Sequence, residues 1–394
     1  MAVRLPSTLL TLGLVFLAIL LTPIISRRVG LPVIVLEVLA GIVLGKSLLN
    51  LVSYTPWLAF LADFGLIYLF FLVGLEMGIR RPHMEGVLIG LSSLALPFVL
   101  GYLLGMAIGI EPLLMGTLLC TTSMGEVALV LRETGVKGKL RHVTLEAAIL
   151  ADSSAMFLLA VSLEVVEGTP LSLTVLSMLF VLALFLIPVA IREFRLGRRL
   201  VAWLKDKSRF EYEVRFCIAL IVTLALMFEA FGFHTVLGAF LAGLIVSELT
   251  ERGSLLEKKL TGFGYGFFIP LFFIAVGVET NVRQLLSVES MAILALLLAT
   301  GITSKVVGVS GVCRLLGFSK SESLATGFLH SARLSLIIAG ARIGLELGLL
   351  TELIYSAIVI FSMITVLVNP SIYKLLMRKK SIGRRRRSSS RTST

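Results

Sequence analysis

Residues 69–76 read LFFLVGLE, and residues 271–279 read LFFIAVGVE. A second pair of similar segments, LAGIV at 39–43 and LAGLI at 241–245, is separated by almost the same number of residues. Apolar segments of low complexity often match by chance, but a shared spacing and a shared pattern of two phenylalanines, a glycine and a glutamate argue against chance. We therefore predict an internal repeat.

The composition places this repeat in a membrane protein. Of the 394 residues, 57% are hydrophobic and 15% are charged, with a mean hydropathy of +1.00, whereas a soluble domain is about one quarter charged. These values exclude disordered, collagen-like and ordinary soluble chains. The three cysteines show no CxxC spacing, so we expect neither a zinc site nor a disulfide framework. The predicted fold class is an all-α polytopic membrane protein.

The apolar runs predict thirteen transmembrane helices, because a spanning helix needs roughly 20 apolar residues. The spans lie near 7–26, 32–51, 56–78, 84–108, 112–132, 142–164, 170–191, 211–230, 233–249, 264–278, 288–313, 322–345 and 351–377. The repeated segments fall in the second and third spans and again seven spans later. Because seven is odd, the two copies cross the membrane in opposite directions.

Inverted repeats of this kind are typical of secondary transporters, whose binding site lies among broken helices near the middle of the membrane. Small and hydroxyl residues, together with a charge, interrupt the apolar pattern at 116–126 and at 327–335. These segments belong to the fifth and twelfth spans, which are also seven spans apart. We predict that these two spans are broken helices that cross.

Basic residues gather in alternate loops and in the tail 378–394. The positive-inside rule then places the N-terminus outside and the C-terminus in the cytoplasm of a multi-pass cell (inner) membrane protein. The tail also contributes much of the net charge of +12, so we expect no nucleic-acid partner. We expect the tail to be disordered and to contact membrane lipid; a regulatory or partner site is the alternative.

Asp152 is the sharpest candidate for an ion-binding residue, because it interrupts the sixth apolar span. A charge at that depth costs about 2.5–3.5 kcal/mol and indicates a functional site by default. The carboxylate can bind a proton or a small cation, and the two compete. Oxygen atoms of Thr122, Ser123 and Ser153 would complete a site for transported Na⁺ or Li⁺. The alternative is a structural, hydrogen-bonded aspartate without a transport role.

Three further ionisable residues at membrane depth are expected to support this site. Lys305 in the eleventh span either forms a salt bridge with Asp152 or braces the dipoles of the broken helices. Glu126 in the fifth span and Arg333 in the twelfth are predicted to form an ion pair where the broken helices cross. Direct cation binding by Glu126 is the alternative.

The sequence lacks the common motifs of nucleotide-binding and metal-dependent enzymes. There is no Walker A sequence, no H-E-x-x-H motif, and no dinucleotide-binding glycine motif after a strand. We therefore expect neither an enzyme nor a bound cofactor.

Five motifs carry a family resemblance: LEVLAGIVLG at 36–45, FFLVGLE at 70–76, the Thr122-Ser123 break, Asp152, and PLFF at 270–273. In these motifs the chain resembles the monovalent cation:proton antiporter superfamily. It resembles in particular the NapA-type sodium/proton antiporters and the membrane domains of potassium-efflux antiporters. The resemblance covers nearly the whole chain, about residues 7–377.

The resemblance implies a homodimer in which a core domain moves against a dimerisation domain. The implied core is 84–164 with 288–377, the implied dimerisation domain is 7–78 with 211–278, and the implied linker helix is 170–191. The family's ion-binding aspartate corresponds to Asp152 and its eleventh-span lysine to Lys305. Ala151 stands where electrogenic members have a second aspartate. With one titrating carboxylate we expect one-for-one exchange; a second proton carried by Lys305 is the alternative.

The predicted function is secondary active antiport of Na⁺ or Li⁺ against H⁺ by alternating access, with both ions competing for Asp152. K⁺/H⁺ antiport is the alternative within the same class. Outside it, the alternatives are a Na⁺-coupled symporter of an organic anion and a passive channel or sensor that does not transport.

Overall fold

A computed structural model of the chain describes residues 7–77, 83–166, 183, 186–193, 211–230, 235–250, 253–284 and 287–389. These residues form helices and short connections, with no β-strand among them. Contacts divide the chain into two compact units. Unit 1 comprises Met1–Arg81 and Glu167–Asn281, and unit 2 comprises Pro82–Val166 and Val282–Thr394.

The helices of unit 1 follow the predicted spans with some shifts of their ends. They are α1 (Ser7–Val29), α2 (Val33–Leu44), α3 (Pro56–Met77), α8 (Leu186–Glu193), α9 (Tyr212–Ala230), α10 (Thr235–Leu249), α11 (Leu255–Phe263) and α12 (Ile269–Glu279). A π-helical turn, Gly264–Phe268, joins α11 to α12, so the span predicted from residue 264 begins earlier. Most of the predicted linker span lies outside the described residues.

Glycine residues bring two pairs of helices in unit 1 into main-chain contact. Gly41 in α2 lies against Gly277 in α12, and Gly74 in α3 lies against Gly243 in α10. A Cβ atom at any of these four positions would collide with a main-chain carbonyl oxygen of the neighbouring helix. Small residues allow this close approach of helices in membranes. These four glycines belong to the repeated segments of the sequence.

The helices of unit 2 include two spans that are each divided in the middle. They are α4 (Met84–Ile108), α5 (Pro112–Cys120), α6 (Met124–Glu133), α7 (Lys139–Val166), α13 (Val288–Leu315), α14 (Lys320–His330), α15 (Ser335–Glu346) and α16 (Glu352–Ser389). Helix α16 continues to residue 389, into the tail that the sequence predicted to be disordered. Lysine and arginine, which are frequent there, have high helix propensity.

Nine helical stretches among the described residues are long and apolar enough to cross a membrane. Helices α2 and α10 are apolar but shorter, with 12 and 15 residues. At 1.5 Å per residue they are about 18 and 22 Å long, less than the ~30 Å hydrocarbon core of a bilayer. Helix α2 ends before the predicted limit of its span because the chain becomes extended at Gly45.

Candidate functional site

Two helix breaks meet in unit 2, one between α5 and α6 and the other between α14 and α15. The main-chain N–H of Ser123 donates to the carbonyl of Ala332 at 2.9 Å. The Thr122 hydroxyl donates to the carbonyl of His330 at 3.3 Å. Serine and threonine favour such breaks because their hydroxyls offer the main chain alternative hydrogen bonds. Both breaks lie in the segments where the sequence predicted them.

Four helix ends flank the two breaks. Helices α5 and α14 end there, and helices α6 and α15 begin there. The last carbonyls of a helix lack intrahelical partners and carry a partial negative charge, whereas the first N–H groups carry a partial positive charge. The site therefore contains main-chain acceptors that attract cations, whether these belong to the protein or to a substrate.

Lys305, on α13, is fully buried and uses its ammonium group to hold α5. The group donates to the carbonyl of Cys120 at 2.7 Å, to the Ser93 hydroxyl at 2.8 Å and to the Thr122 hydroxyl. An ammonium group has three donors, and all three are used here. Asp152 interacts with Lys305 electrostatically but is not one of these hydrogen-bond acceptors. These contacts are those that the predicted brace requires, and the predicted salt bridge with Asp152 stays a prediction.

Arg333, in the second break, is fully buried, and the partners of its guanidinium among the described residues are main-chain carbonyls. Its Nη2 atom bonds to Leu119 and Gly301, both at 2.8 Å, and its Nε atom bonds to Leu119 at 3.2 Å. Its Nη1 atom bonds to Ser331 at 3.0 Å. The guanidinium also lies 5.5 Å from the ring centroid of Phe361, a cation–π distance. Arg333 thus neutralises the carboxyl end of α5.

The predicted ion pair between Glu126 and Arg333 is not among the contacts of the described residues. Glu126 is half-buried in the first turn of α6, and its charged neighbours are Glu133 and Lys374. Its helix face turns towards Lys374 on α16, while the Arg333 side chain turns back to the carbonyls at the end of α5. Opposite charges on two crossing helices pair only when both side chains point into the crossing. Here the Arg333 side chain does so, whereas Glu126 faces Lys374.

Asp152 is buried on α7 and belongs to the same unit as both breaks. Next to it, the Ser153 hydroxyl donates to the carbonyl of Ile149 at 2.7 Å, which leaves oxygen lone pairs for another partner. The other two predicted ligands, Thr122 and Ser123, are buried in the first break. The three predicted ligands besides Asp152 offer neutral hydroxyl oxygens, which suit a small hard cation.

Three groups at the site were not predicted from the sequence. Ser93 on α4 and the carbonyl of Cys120 accept hydrogen bonds from Lys305, and the Thr365 hydroxyl on α16 accepts one from the Arg333 N–H at 3.3 Å. The hydroxyls of Ser93 and Thr365 interrupt apolar runs and could have been noticed. The carbonyl could not, because every residue has one.

The chemistry at the site suits an ion that binds and leaves. Among the described residues, no three His, Cys, Asp or Glu side chains come together as metal ligands. Asp152 is the one carboxylate assigned to the ion site, and a single carboxylate attracts a monovalent cation without the several charged ligands that hold a resident metal. Together with the broken helices, this arrangement is typical of secondary transporters. The fold and the site thus define a helical membrane transporter of a small cation.

Comparison with known families agrees with this class. The model of the family "Sodium/hydrogen exchanger, transmembrane" matches residues 15–379. That match covers most of the chain, so the protein belongs to the transmembrane sodium/hydrogen exchanger family. The resemblance to the monovalent cation:proton antiporter superfamily is thereby confirmed.

Two relatives align along nearly their whole length. The chain is 30% identical over 367 residues to "Probable Na(+)/H(+) antiporter 3" of Methanocaldococcus jannaschii, covering 90% of this chain and 93% of that protein. It is 28% identical over 377 residues to "Na(+)/H(+)-K(+) antiporter GerN" of Bacillus cereus, covering 92% and 94%. The solved structure of the sodium proton antiporter MjNhaP1 from M. jannaschii at pH 8 matches 94% of this chain and 98% of its own, with a TM-score of 0.64 and 15% identity. That last likeness concerns the fold alone.

Proposed function

We propose that the protein is a secondary active antiporter that exchanges Na⁺, or Li⁺ in its place, for H⁺. The observation that carries this proposal is the buried carboxylate of Asp152, electrostatically coupled to Lys305 beside two crossing broken helices. The two relatives described above carry names that include Na⁺/H⁺ antiport.

The mechanism follows from competition for one carboxylate. Lys305 stays in its hydrogen bonds to α4, α5 and the first break, so Asp152 carries the exchangeable charge. A cation binds the ionised carboxylate with help from oxygens of Thr122, Ser123 and Ser153. A proton cancels the same charge and removes the attraction for the cation. Either ion neutralises Asp152. Movement of the buried site across the membrane costs little free energy only when the charge of that site is compensated.

The glycine crossings of unit 1 support a thirteen-span inverted repeat. The repeat relates α2 to α10 and α3 to α12. If the two copies of the repeat are interchanged, α2 takes the place of α10 and α12 takes the place of α3. The contact of α2 with α12 therefore corresponds to the contact of α10 with α3. Both crossings occur, each through glycines of the repeated segments. A repeat in the fold requires this correspondence, whereas chance similarity of apolar sequences does not produce it.

Within this scheme, unit 2 is the ion-carrying core and unit 1 is the dimerisation domain of a homodimer. All the residues assigned to the ion site lie in unit 2, which supports that division of labour. Alternating access then consists of movement of the core. The basic loops and tail favour a multi-pass protein of the cell (inner) membrane, surrounded by membrane lipid, with the N-terminus outside and the C-terminus in the cytoplasm.

The test is exchange in proteoliposomes that contain a pH dye, with Na⁺ added outside while the membrane potential is clamped. Wild-type protein should give a Na⁺-dependent pH change, and Asp152→Asn should abolish it. Glu133→Gln is the matched control, because Glu133 is an accessible carboxylate paired with Lys374. Exchange that survives in Asp152→Asn would refute the mechanism.

Ion selectivity is tested in the same vesicles with Li⁺ and K⁺. K⁺/H⁺ exchange is the second candidate, favoured by the K⁺ in the name of the B. cereus relative. A response to Na⁺ and Li⁺ but not to K⁺ supports the first proposal. A dependence of the rate on an imposed potential would replace one-for-one exchange with electrogenic exchange and would make Lys305 the second proton carrier.

A further inference from the structure

Unit 1 contains a buried carboxyl group that the proposed mechanism does not use. Glu37 lies on α2 and is 3% exposed. Among the described residues, its side chain has neither a hydrogen bond nor an ion pair. Carboxylates are almost never buried unless they are paired, and an ionisable residue at membrane depth indicates a function by default. The ion site does not supply that function, because its assigned residues lie in unit 2.

Glu37 lies on the face of α2 that packs against α12. It precedes Gly41 by four residues, and residues with this spacing share a helix face. A Cβ atom at Gly41 would meet Ile274, and one at Gly45 would meet Val278, so α2 and α12 run in the same direction. Glu37, one turn before Gly41, is therefore level with the first turn of α12.

The first turn of α12 is poor in groups that could bind a carboxylate. The N–H of Ile269 donates to the carbonyl of Gly264, and Pro270 has no N–H. The side chains of α12 are apolar up to its last residue, Glu279, which lies at the end of the helix far from Glu37. Helix α12 therefore offers Glu37 neither a positive charge nor a polar side chain at the same level.

The other surroundings of α2 do not neutralise Glu37 either. Helix α1 also packs against α2, and its charged residues are Arg27 and Arg28 in the last turn, both exposed. Neither forms an ion pair with Glu37. Lys46 follows the opposite end of α2. The carboxyl group thus lies between helices that supply no compensating charge within the described part of unit 1.

The second copy of the repeated segment shows that this kind of crossing does not need a carboxyl group. LAGIV begins at residue 39 and LAGLI at residue 241, so Glu37 corresponds to Ala239, each two residues before its segment. Ala239 is fully buried, and α10 makes the equivalent close contact with α3 through Gly243. Because a methyl group is sufficient in one crossing, the carboxyl group in the other has a role besides filling space.

We propose that Glu37 is a second proton-binding site, which holds a proton that is not exchanged for Na⁺ and which stabilises the contact of α2 with α12. An ionised carboxylate without donors is very costly in apolar surroundings, and a proton removes its charge. A hard cation would need several oxygen ligands, which the apolar side chains of α12 do not provide. The site is separate from Asp152 and does not depend on the exchange reaction.

The proton on Glu37 is tested by labelling with dicyclohexylcarbodiimide, an apolar reagent that adds to protonated carboxyl groups shielded from water. At neutral pH, mass spectrometry of the full-length protein should find the adduct on Glu37. Glu289 is the control, because it is exposed, and Na⁺ should not reduce the labelling of Glu37. Labelling no higher than that of Glu289, or labelling that Na⁺ prevents, would overturn the proposal.

The effect of the proton on stability is tested with Glu37→Gln, whose side chain is neutral at every pH. The folded protein keeps the proton, whereas the unfolded chain releases it above about pH 4.3. The unfolded state then binds fewer protons, so stability falls as the pH rises. Relative to the variant, the unfolding equilibrium constant of the wild type should rise roughly tenfold per pH unit while Glu37 keeps its proton. Glu289→Gln, at an exposed position, should not give this divergence.

Stabilities of wild type and Glu37→Gln that change in parallel with pH would overturn the bound proton. If Glu37→Gln does not fold, Glu37→Ala replaces it, since alanine stands at the corresponding position 239. In proteoliposomes at neutral pH, Glu37→Gln should exchange Na⁺ at the wild-type rate. A folded variant without exchange would assign this proton to transport and overturn the proposal, whereas a wild type without exchange would refute only the antiporter.

Discussion

The glycine crossings of unit 1 and the broken-helix crossing of unit 2 bring helices together in opposite ways. In unit 1, intact helices touch through main chains at residues that lack side chains. In unit 2, the helices are interrupted and their exposed carbonyls are held by Lys305 and Arg333. Irregular main chain is tolerated at membrane depth only where it is buried in protein or lines a cavity. The crossings in unit 1 therefore depend on the absence of side chains, whereas the crossing in unit 2 depends on the basic side chains that bind its carbonyls.

Arg333→Met should give the largest effect and tests whether charge holds the broken crossing. The variant removes the guanidinium that binds the carbonyls of Leu119 and Ser331, and a buried acceptor left without a donor costs about 1–3 kcal/mol. The free energy of unfolding should therefore fall by about 3–5 kcal/mol for the two carbonyls together. Thermal melting of the purified protein measures it. Arg314→Met is the control, because Arg314 is exposed and makes one hydrogen bond, to Phe318. Equal losses in the two variants would remove the distinction between the crossings.

Gly277→Ala tests whether space governs the intact crossing. The new Cβ atom would collide with the carbonyl of Val38, and overpacking of this kind costs about 1–3 kcal/mol. Gly13→Ala on α1 should instead raise the free energy of unfolding by roughly 0.5–1 kcal/mol, since nothing lies within 4 Å of its Cβ position. The two melting temperatures should move in opposite directions, and a shift in the same direction would contradict close contact.

Ser93→Ala tests how much the hydrogen bond between Lys305 and Ser93 contributes to the free energy of unfolding. Lys305 keeps two of its three acceptors, so we expect a loss of about 1 kcal/mol in melting experiments. The neighbouring Ser92→Ala is the control, because the Ser92 hydroxyl bonds within its own helix to Ile89 at 2.7 Å. Similar effects of the two substitutions would show that the ammonium group does not depend on Ser93.

A double-mutant cycle of Glu126→Gln with Arg333→Met should give the smallest effect. Because Glu126 turns towards Lys374 and Glu133, the two substitutions should add to within about 0.3–0.5 kcal/mol in the free energy of unfolding. A larger coupling energy would show that Glu126 and Arg333 form the ion pair that the sequence predicted.

The sequence predicted the location of the broken crossing but not the contacts that hold it. Hydroxyl and small residues interrupt apolar runs visibly, so the breaks beside Thr122 and Arg333 could be found, as could Asp152 in an apolar span. The partners of Arg333 and Lys305 include carbonyls, which no residue type distinguishes. Glu126 was paired with Arg333 by sign of charge alone, whereas pairing also requires that both side chains point towards each other.

Helix ends were predicted less well than helix positions. Helix α2 ends at Leu44, although the predicted span continues to residue 51, because the chain becomes extended at Gly45. At the other end of the chain, composition suggested disorder from residue 378, but α16 continues to Ser389. Hydropathy reports where a segment is apolar, whereas the end of a helix depends on local main-chain conformation.

The hydrogen bond from Arg333 to the main-chain oxygen of residue 119 also has an evolutionary consequence. Any amino acid at position 119 presents the same carbonyl, so the side chain there can change over generations without loss of this hydrogen bond, provided that the packing of a position only 1% exposed is kept. Related chains should therefore retain the arginine while position 119 drifts among apolar residues. Methods that infer contacts from correlated substitutions would find no signal for this pair, although the two residues touch.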